Sequence, residues 1–286
     1  MINQRQFGHF PRRGYQTQDG DSFLPGSSPK PDLSYEESLD LNIGGLKIEL
    51  KHAKGETDDH TWAWTPEHNA ICAGDLFIRC FPNAGNPQKC SDTRSNGPPP
   101  CAMANQGAEL FMPTHGLPRA GASRIKNMLT DVAESLEFLV TETILRMNEG
   151  ARLNDIVHEV KIDPSVLEKP YLKPIYDEPE FVVRNIWRMY GSWYDGNPAN
   201  LKPAPDSMLA GGAIKLAERG RELMDSDSRL ACHLVELATQ AAPSEGAIHE
   251  IKAEVYQHRR TVETSLMSKG IFGSTSNESQ DKLHND

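Results

Sequence analysis

The sequence predicts a mixed fold, β-rich at first and all-α afterwards, with the border near residue 120. Three observations predict it. Apolar and polar residues alternate in short runs across residues 39–77, the period of half-buried strands. A helical period takes over at Ser123. A Pro-rich loop, "YDGNPANLKPAPDS", then separates short helices from three amphipathic ones.

Residues 1–37 are poor in apolar side chains and rich in Gly, Pro, Ser and Asp, and read as an extended, poorly ordered arm. In "LDLNIGGLKIELKHA", Leu39, Leu41 and Ile43 alternate before a Gly-Gly turn, and Leu46, Ile48 and Leu50 alternate after it. That pattern is a β-hairpin. "HTWAWTPEHNAICAGDLF" adds two strands, with Trp62 and Trp64 on one face, a turn over 66–69, and a return to Phe77. Residues 38–122 thus form a β-rich domain whose loops carry an acidic cluster.

From Ser123, the residues Ile125, Met128, Leu129, Val132, Leu136, Leu139 and Val140 recur at helical spacing. Ser123 is the expected N-cap and Gly150 the expected C-terminal stop. Short helices are expected over 153–160 and 180–190, and longer ones near 208–224, 229–242 and 245–267. Residues 123–272 are read as a helical domain and 273–286 as a disordered tail.

Composition narrows the function classes. The chain has 286 residues, 37% hydrophobic and 24% charged, with a net charge of -10. An acidic surface argues against nucleic acid as a partner. No apolar run is long enough to span a bilayer, and "MINQRQFGHFPRRG" lacks the apolar core of a secretory signal. The five Cys are scattered and odd in number, fitting neither a disulfide framework nor a zinc ribbon. A reducing, cytoplasmic location is the expectation.

Three motifs offer side chains for chemistry: Glu56 in "KGETDDH", Asp75 in "AGDLF" and His115 in "MPTHGLP". Each has a plainer reading. Glu56 can be part of a solvated acidic turn, Asp75 a cap on the next turn, and His115 a turn residue facing water. Asp75 carries the strongest signal, because the end of a buried strand is a costly place for a carboxylate without a partner. His52 and His68 read as surface turns, and Cys232 and His233 as core on an apolar helix face. Trp62, Trp64, Phe77, Phe81 and Phe111 either line an apolar cleft or fill the core.

The order of strand, acidic loop, strand ending in Gly-Asp, and apolar strand ending in a His-Gly turn resembles the second half of a metallo-β-lactamase fold. It is closest to the alkyl sulfatase branch, in which a Glu takes the loop position held here by Glu56. "YDEPEFVVRNIWRMYGSWYDGNPANLKPAP" and "RLACHLVELATQAAP" resemble the dimerisation domain of those sulfatases. The resemblance covers roughly residues 35–272. It implies a partial metallo-β-lactamase αββα domain over 38–122, followed by a helical dimerisation domain over 123–272. It also implies two Zn²⁺ ions, with Glu56 on the first, Asp75 bridging and His115 on the second, hydrolysis of alkyl sulfate esters, and a homodimer. No catalytic residue is assigned. Asn83 and Asn86 in "FPNAGNPQK" would face the site and bind sulfate, or form a turn. Arg184, Asn185, Tyr194 and Asn197 would shape the substrate cleft or serve dimer packing.

Two departures stand out. The family's first metal motif, His-x-His-x-Asp-His, does not occur in this chain, so activity is expected to be impaired; Asp58, Asp59 or His60 are the available substitutes. Where the family continues into an amphipathic helix, residues 90–106 show three consecutive Pro and no helical period. The alternative function is a non-catalytic truncated homologue that acts as a dimerisation module.

Overall fold

The computed structural model of the chain describes residues 32–55, 57–83, 99–204 and 212–284. It divides at Leu201 and Lys202, with Pro31–Leu201 in one compact unit and Lys202–Asp286 in another.

The first unit is built on a six-stranded sheet in the order β1 (Ser38–Ile43), β2 (Leu46–His52), β3 (Thr61–Thr65), β4 (Ala70–Ile78), β5 (Leu110–His115) and β6 (Arg119–Ala120). The Gly-Gly hairpin forms as expected. Gly44 and Gly45 both have positive φ, at 62° and 89°, and Ile43 pairs with Leu46. A two-residue turn with both centres left-handed matches the twist of its strands. Trp62 and Trp64 are both buried on one face of β3. Asn69, in the left-handed region at φ 45°, closes the turn into β4. The chain then crosses over and returns as β5, parallel to β4, through α1 (Pro99–Ala104). Residues 90–106 carry no helical period in the sequence, yet α1 is helical. Its two leading prolines need no intrahelical N–H partner, and Met103 is fully buried. Residues 84–98 lie outside the described residues.

Helix α2 (Ala122–Asn148) is capped by Gly121, two positions before the expected Ser123 cap. It buries Ile125, Met128, Leu129, Val132, Leu136 and Leu139 as its spacing predicts. Those side chains share one core with Trp62, Phe77 and Phe111 of the sheet, and with residues of α3 (Leu153–Glu159) and α5 (Pro179–Gly191). A short α4 (Pro164–Leu167) lies between α3 and α5. The packing therefore divides at Leu201 rather than near residue 120, because the long helix completes the core of the sheet. Phe77 and Phe111 meet edge to face at 5.1 Å, and all five aromatics considered for a cleft are core.

The second unit holds α6 (Ala213–Leu223), α7 (Ser228–Ala241), α8 (Gly246–Val262) and α9 (Leu266–His284) around its own apolar cluster. Three expectations are corrected here. The helix expected over 245–267 ends at Val262, where Glu263 turns extended at ψ 150°. The tail expected to be disordered is helix α9 up to His284, held by small residues against α8: the Ser276 hydroxyl donates to the Ala253 carbonyl at 2.8 Å. His233 is exposed rather than core, since it falls off the buried stripe of Ala231, Val235 and Ala238.

Candidate metal site

Strand β4 would turn Asp75 into the core if its alternation ran unbroken, since Ile71 and Ala73 are both fully buried. It does not run unbroken. The register with β5 slips on both sides of Gly74, which sits at φ +56°. A bulge at a left-handed glycine re-aims the residue that follows. Leu76 and Phe77 are buried in succession, and Asp75 emerges with its side chain 36% exposed.

His115 is the last residue of β5, opposite Ile78. Its carbonyl accepts the Arg79 N–H at 3.1 Å. The Arg79 stem packs over Gly116, where a Cβ would come within 3.1 Å of it. His115 Nε2 stands 3.3 Å from Asp75 Oδ1. The parallel pairing of β4 and β5 thus brings a carboxylate from within β4, three residues before its end, beside an imidazole at the end of β5.

The separation of the pair is that of a direct ion pair, and also that of two donors on one metal. Two ligands about 2.1 Å from a tetrahedral zinc stand roughly 3.4 Å apart, close to the 3.3 Å seen here. The pair supplies two donors where zinc takes three or four protein ligands. Among the described residues, no group of three His, Cys, Asp or Glu is placed to hold a metal. Glu56 lies outside the described residues, as does Asn86. None of the suggested substitutes joins the pair in a group of three ligating side chains among the described residues. Asp59 accepts the Thr57 hydroxyl at 2.6 Å, which lowers its pKa, and it is exposed. The backbone carbonyl of Asp58 lies 2.6 Å from the His52 ring, and the residue is exposed. The His60 ring packs over Gly55 and Gly74.

The residues of the long shared string have local roles. Asp195 accepts the Asn197 N–H at 2.9 Å and the Asn200 amide at 2.5 Å, and these bonds hold its carboxyl below the usual range. Asn197 in turn accepts the Ala199 N–H at 3.2 Å. The Tyr194 carbonyl accepts the Trp187 indole N–H at 2.9 Å. Arg184 is exposed on α5; Asn185 and Asn83 are half-buried. The feature missed in the sequence is the bulge. A Gly inside a strand pattern, directly before the Asp, is the signal that marks it.

The alkyl sulfatase dimerisation family matches residues 152–282. The chain is similar to alkyl sulfatases. It is 23% identical over 270 residues to a linear primary-alkylsulfatase of a Pseudomonas strain, covering 90% of this chain and 51% of that protein. An (R)-specific secondary-alkylsulfatase of Pseudomonas is 27% identical over 158 residues, covering 52% of this chain and 24% of that one. In three dimensions, the fold matches the stereoselective inverting sec-alkylsulfatase Pisa1 of Pseudomonas with a TM-score of 0.77 at 20% identity, over 99% of this chain and 48% of that one. The chain spans about half the length of the primary-alkylsulfatase and of Pisa1. Among the described residues, no helix is long and apolar enough to cross a membrane.

Proposed function

We propose that this chain carries part of a metal-dependent sulfate ester hydrolase of the alkyl sulfatase type, with Asp75 and His115 as metal ligands and Glu56 as a third. The 3.3 Å approach of Asp75, at the bulge of β4, to His115 at the end of β5 is the observation that supports it. Carboxylate and imidazole donors suit zinc, and a zinc ion held there would supply a water of lowered pKa. The chain's own part is to fix two donors on rigid strands and to back them with a dry core of Phe77 and Phe111. Because this chain lacks the His-x-His-x-Asp-His string, weak zinc binding and slow turnover are expected of it alone. The four described cysteines are free, which supports a reducing, cytoplasmic setting.

Zinc per chain, measured by elemental analysis after dialysis against metal-free buffer, tests this reading beside sulfate release from a linear alkyl sulfate. The expected result is bound zinc that both Asp75→Asn and His115→Ala remove. Zinc near zero in the unaltered chain overturns it.

A second reading has its own support. The dimerisation family covers 152–282, and Val262 and Leu266 expose 55% and 62% of their surface at the junction of α8 and α9. Apolar side chains left in water at an inter-helix corner favour a second copy of the chain as cover. Sedimentation equilibrium giving a dimer supports a dimerisation module; a monomer at all concentrations sinks it.

A further inference from the structure

The His60 ring lies between two glycines on different elements. A Cβ on Gly55, in the loop before β3, would come within 2.6 Å of His60 Nδ1. A Cβ on Gly74, in β4, would come within 2.8 Å of His60 Nε2. Side chains do not tolerate such distances, so the ring occupies the space that both Cβ atoms vacate. Its own backbone is fastened, because the His60 carbonyl accepts the Ala53 N–H at 2.9 Å and closes the neck of the acidic loop. Leu76 bounds the same space from β4, at 2.7 Å from the Gly55 Cβ position.

Gly74 is the bulge residue, and its peptide leads directly into Asp75. Glycine has many conformational alternatives to its φ of +56°, so the bulge is held in place by its surroundings. We infer that His60 is a positioning residue: packed against Gly74, it fixes the bulge that holds Asp75 at His115. The inference rests on the metal-site reading for its purpose, but not for its geometry. It also gives a physical reason for Gly at both 55 and 74, and for a flat ring at 60 in place of the branched or flexible side chains that a surface loop tolerates. His60 acts here by shape, as the outer partners of metal ligands do when they orient the ligands themselves.

The test uses the full chain, metal-free and then titrated with zinc. Two-bond ¹H–¹⁵N spectra of the histidine rings report the His115 environment directly, with His115→Gln assigning its signals. In His60→Ala, with far-UV circular dichroism unchanged, the His115 ring signals are expected to move as the contact to Asp75 loosens. Zinc affinity is expected to fall about tenfold, the lower end of what outer-shell substitutions cost. Gly55→Ala, which pushes on the ring from the other side, is expected to shift the same signals. His60→Gln keeps a planar polar end and is expected to restore part of both. If His60→Ala does not fold, His60→Gln and Gly55→Ala carry the same reading. His115 signals unmoved in the folded variants overturn the proposal. Absence of zinc binding in the unaltered chain overturns the metal reading alone, and the ring signals still decide the role of His60.

Discussion

Asp75 and His115 meet across two parallel strands, Oδ1 to Nε2 at 3.3 Å, although forty residues of chain separate them. The contact depends on a bulge at Gly74 and on the register that sets Ile78 opposite His115. Neither side chain is buried, His115 being 65% exposed. The Asp75 Oδ1 that faces the imidazole is itself covered, while the exposed ring is screened by water, so the pair adds little as an ion pair. Asp75→Asn is expected to leave thermal stability within about 0.5 kcal/mol of the unaltered chain, while zinc affinity falls at least tenfold. Calorimetry beside a zinc titration checks both. A large stability loss with unchanged zinc affinity makes the pair structural.

Phe111 is fully buried under the site and packs edge to face on Phe77. Phe111→Ala leaves a cavity at the junction of the sheet and α2, and the expected cost is about 3–5 kcal/mol. All four Trp lie in the first unit, at 62, 64, 187 and 193. Tryptophan fluorescence therefore reads this loss selectively in denaturant unfolding.

Much of this architecture was legible because its signals are local. Period-two alternation around Gly44-Gly45 places β1 and β2, and the helical spacing from Ile125 to Leu139 places the buried face of α2. The sequence resemblance to alkyl sulfatases agrees with the comparisons. What escaped depends on contacts between distant residues. The compact boundary at Leu201 follows from α2 sharing the core of the sheet, which no local period encodes. Helix α9 has a Ser- and Gly-rich sequence with weak intrinsic preference. It is helical because small side chains let it lie close on α8. The meeting of Asp75 and His115 requires both a parallel pairing and a bulge, and only the glycine of the bulge is written locally.

Tyr171 donates to Asp131 at 2.5 Å. Partial burial, and then this bond, push its pKa up to about 12, against roughly 10 for a free phenol. A folded pKa above the unfolded one means that the neutral phenol stabilises the fold. That stability is fully present below about pH 10 and fades as pH rises toward 12. The difference in urea midpoint between the unaltered chain and Tyr171→Phe is expected to be constant from pH 7 to 9 and to shrink above pH 10. A difference that grows with pH contradicts the assignment.

Gly220 lets α6 lie close on α7. A Cβ there would come within 2.7 Å of Val235 Cγ1 and 3.1 Å of the Ala231 carbonyl oxygen. Val235 and Ala231 are fully buried in the second unit's core, so neither can retreat into water. Gly220→Val forces the two helices apart, and overpacking of this kind costs about 1–3 kcal/mol. Gly220→Ala adds only the Cβ and is expected to lie between Val and Gly, because the better helix propensity of Ala, worth about 1 kcal/mol, offsets part of the strain. The second unit holds none of the chain's Trp. Far-UV circular dichroism is therefore expected to show an earlier loss of helix in Gly220→Val, while the tryptophan fluorescence transition stays where it is. If both probes move together, the two cores unfold as one, and the separation of the chain at Leu201 has no energetic counterpart.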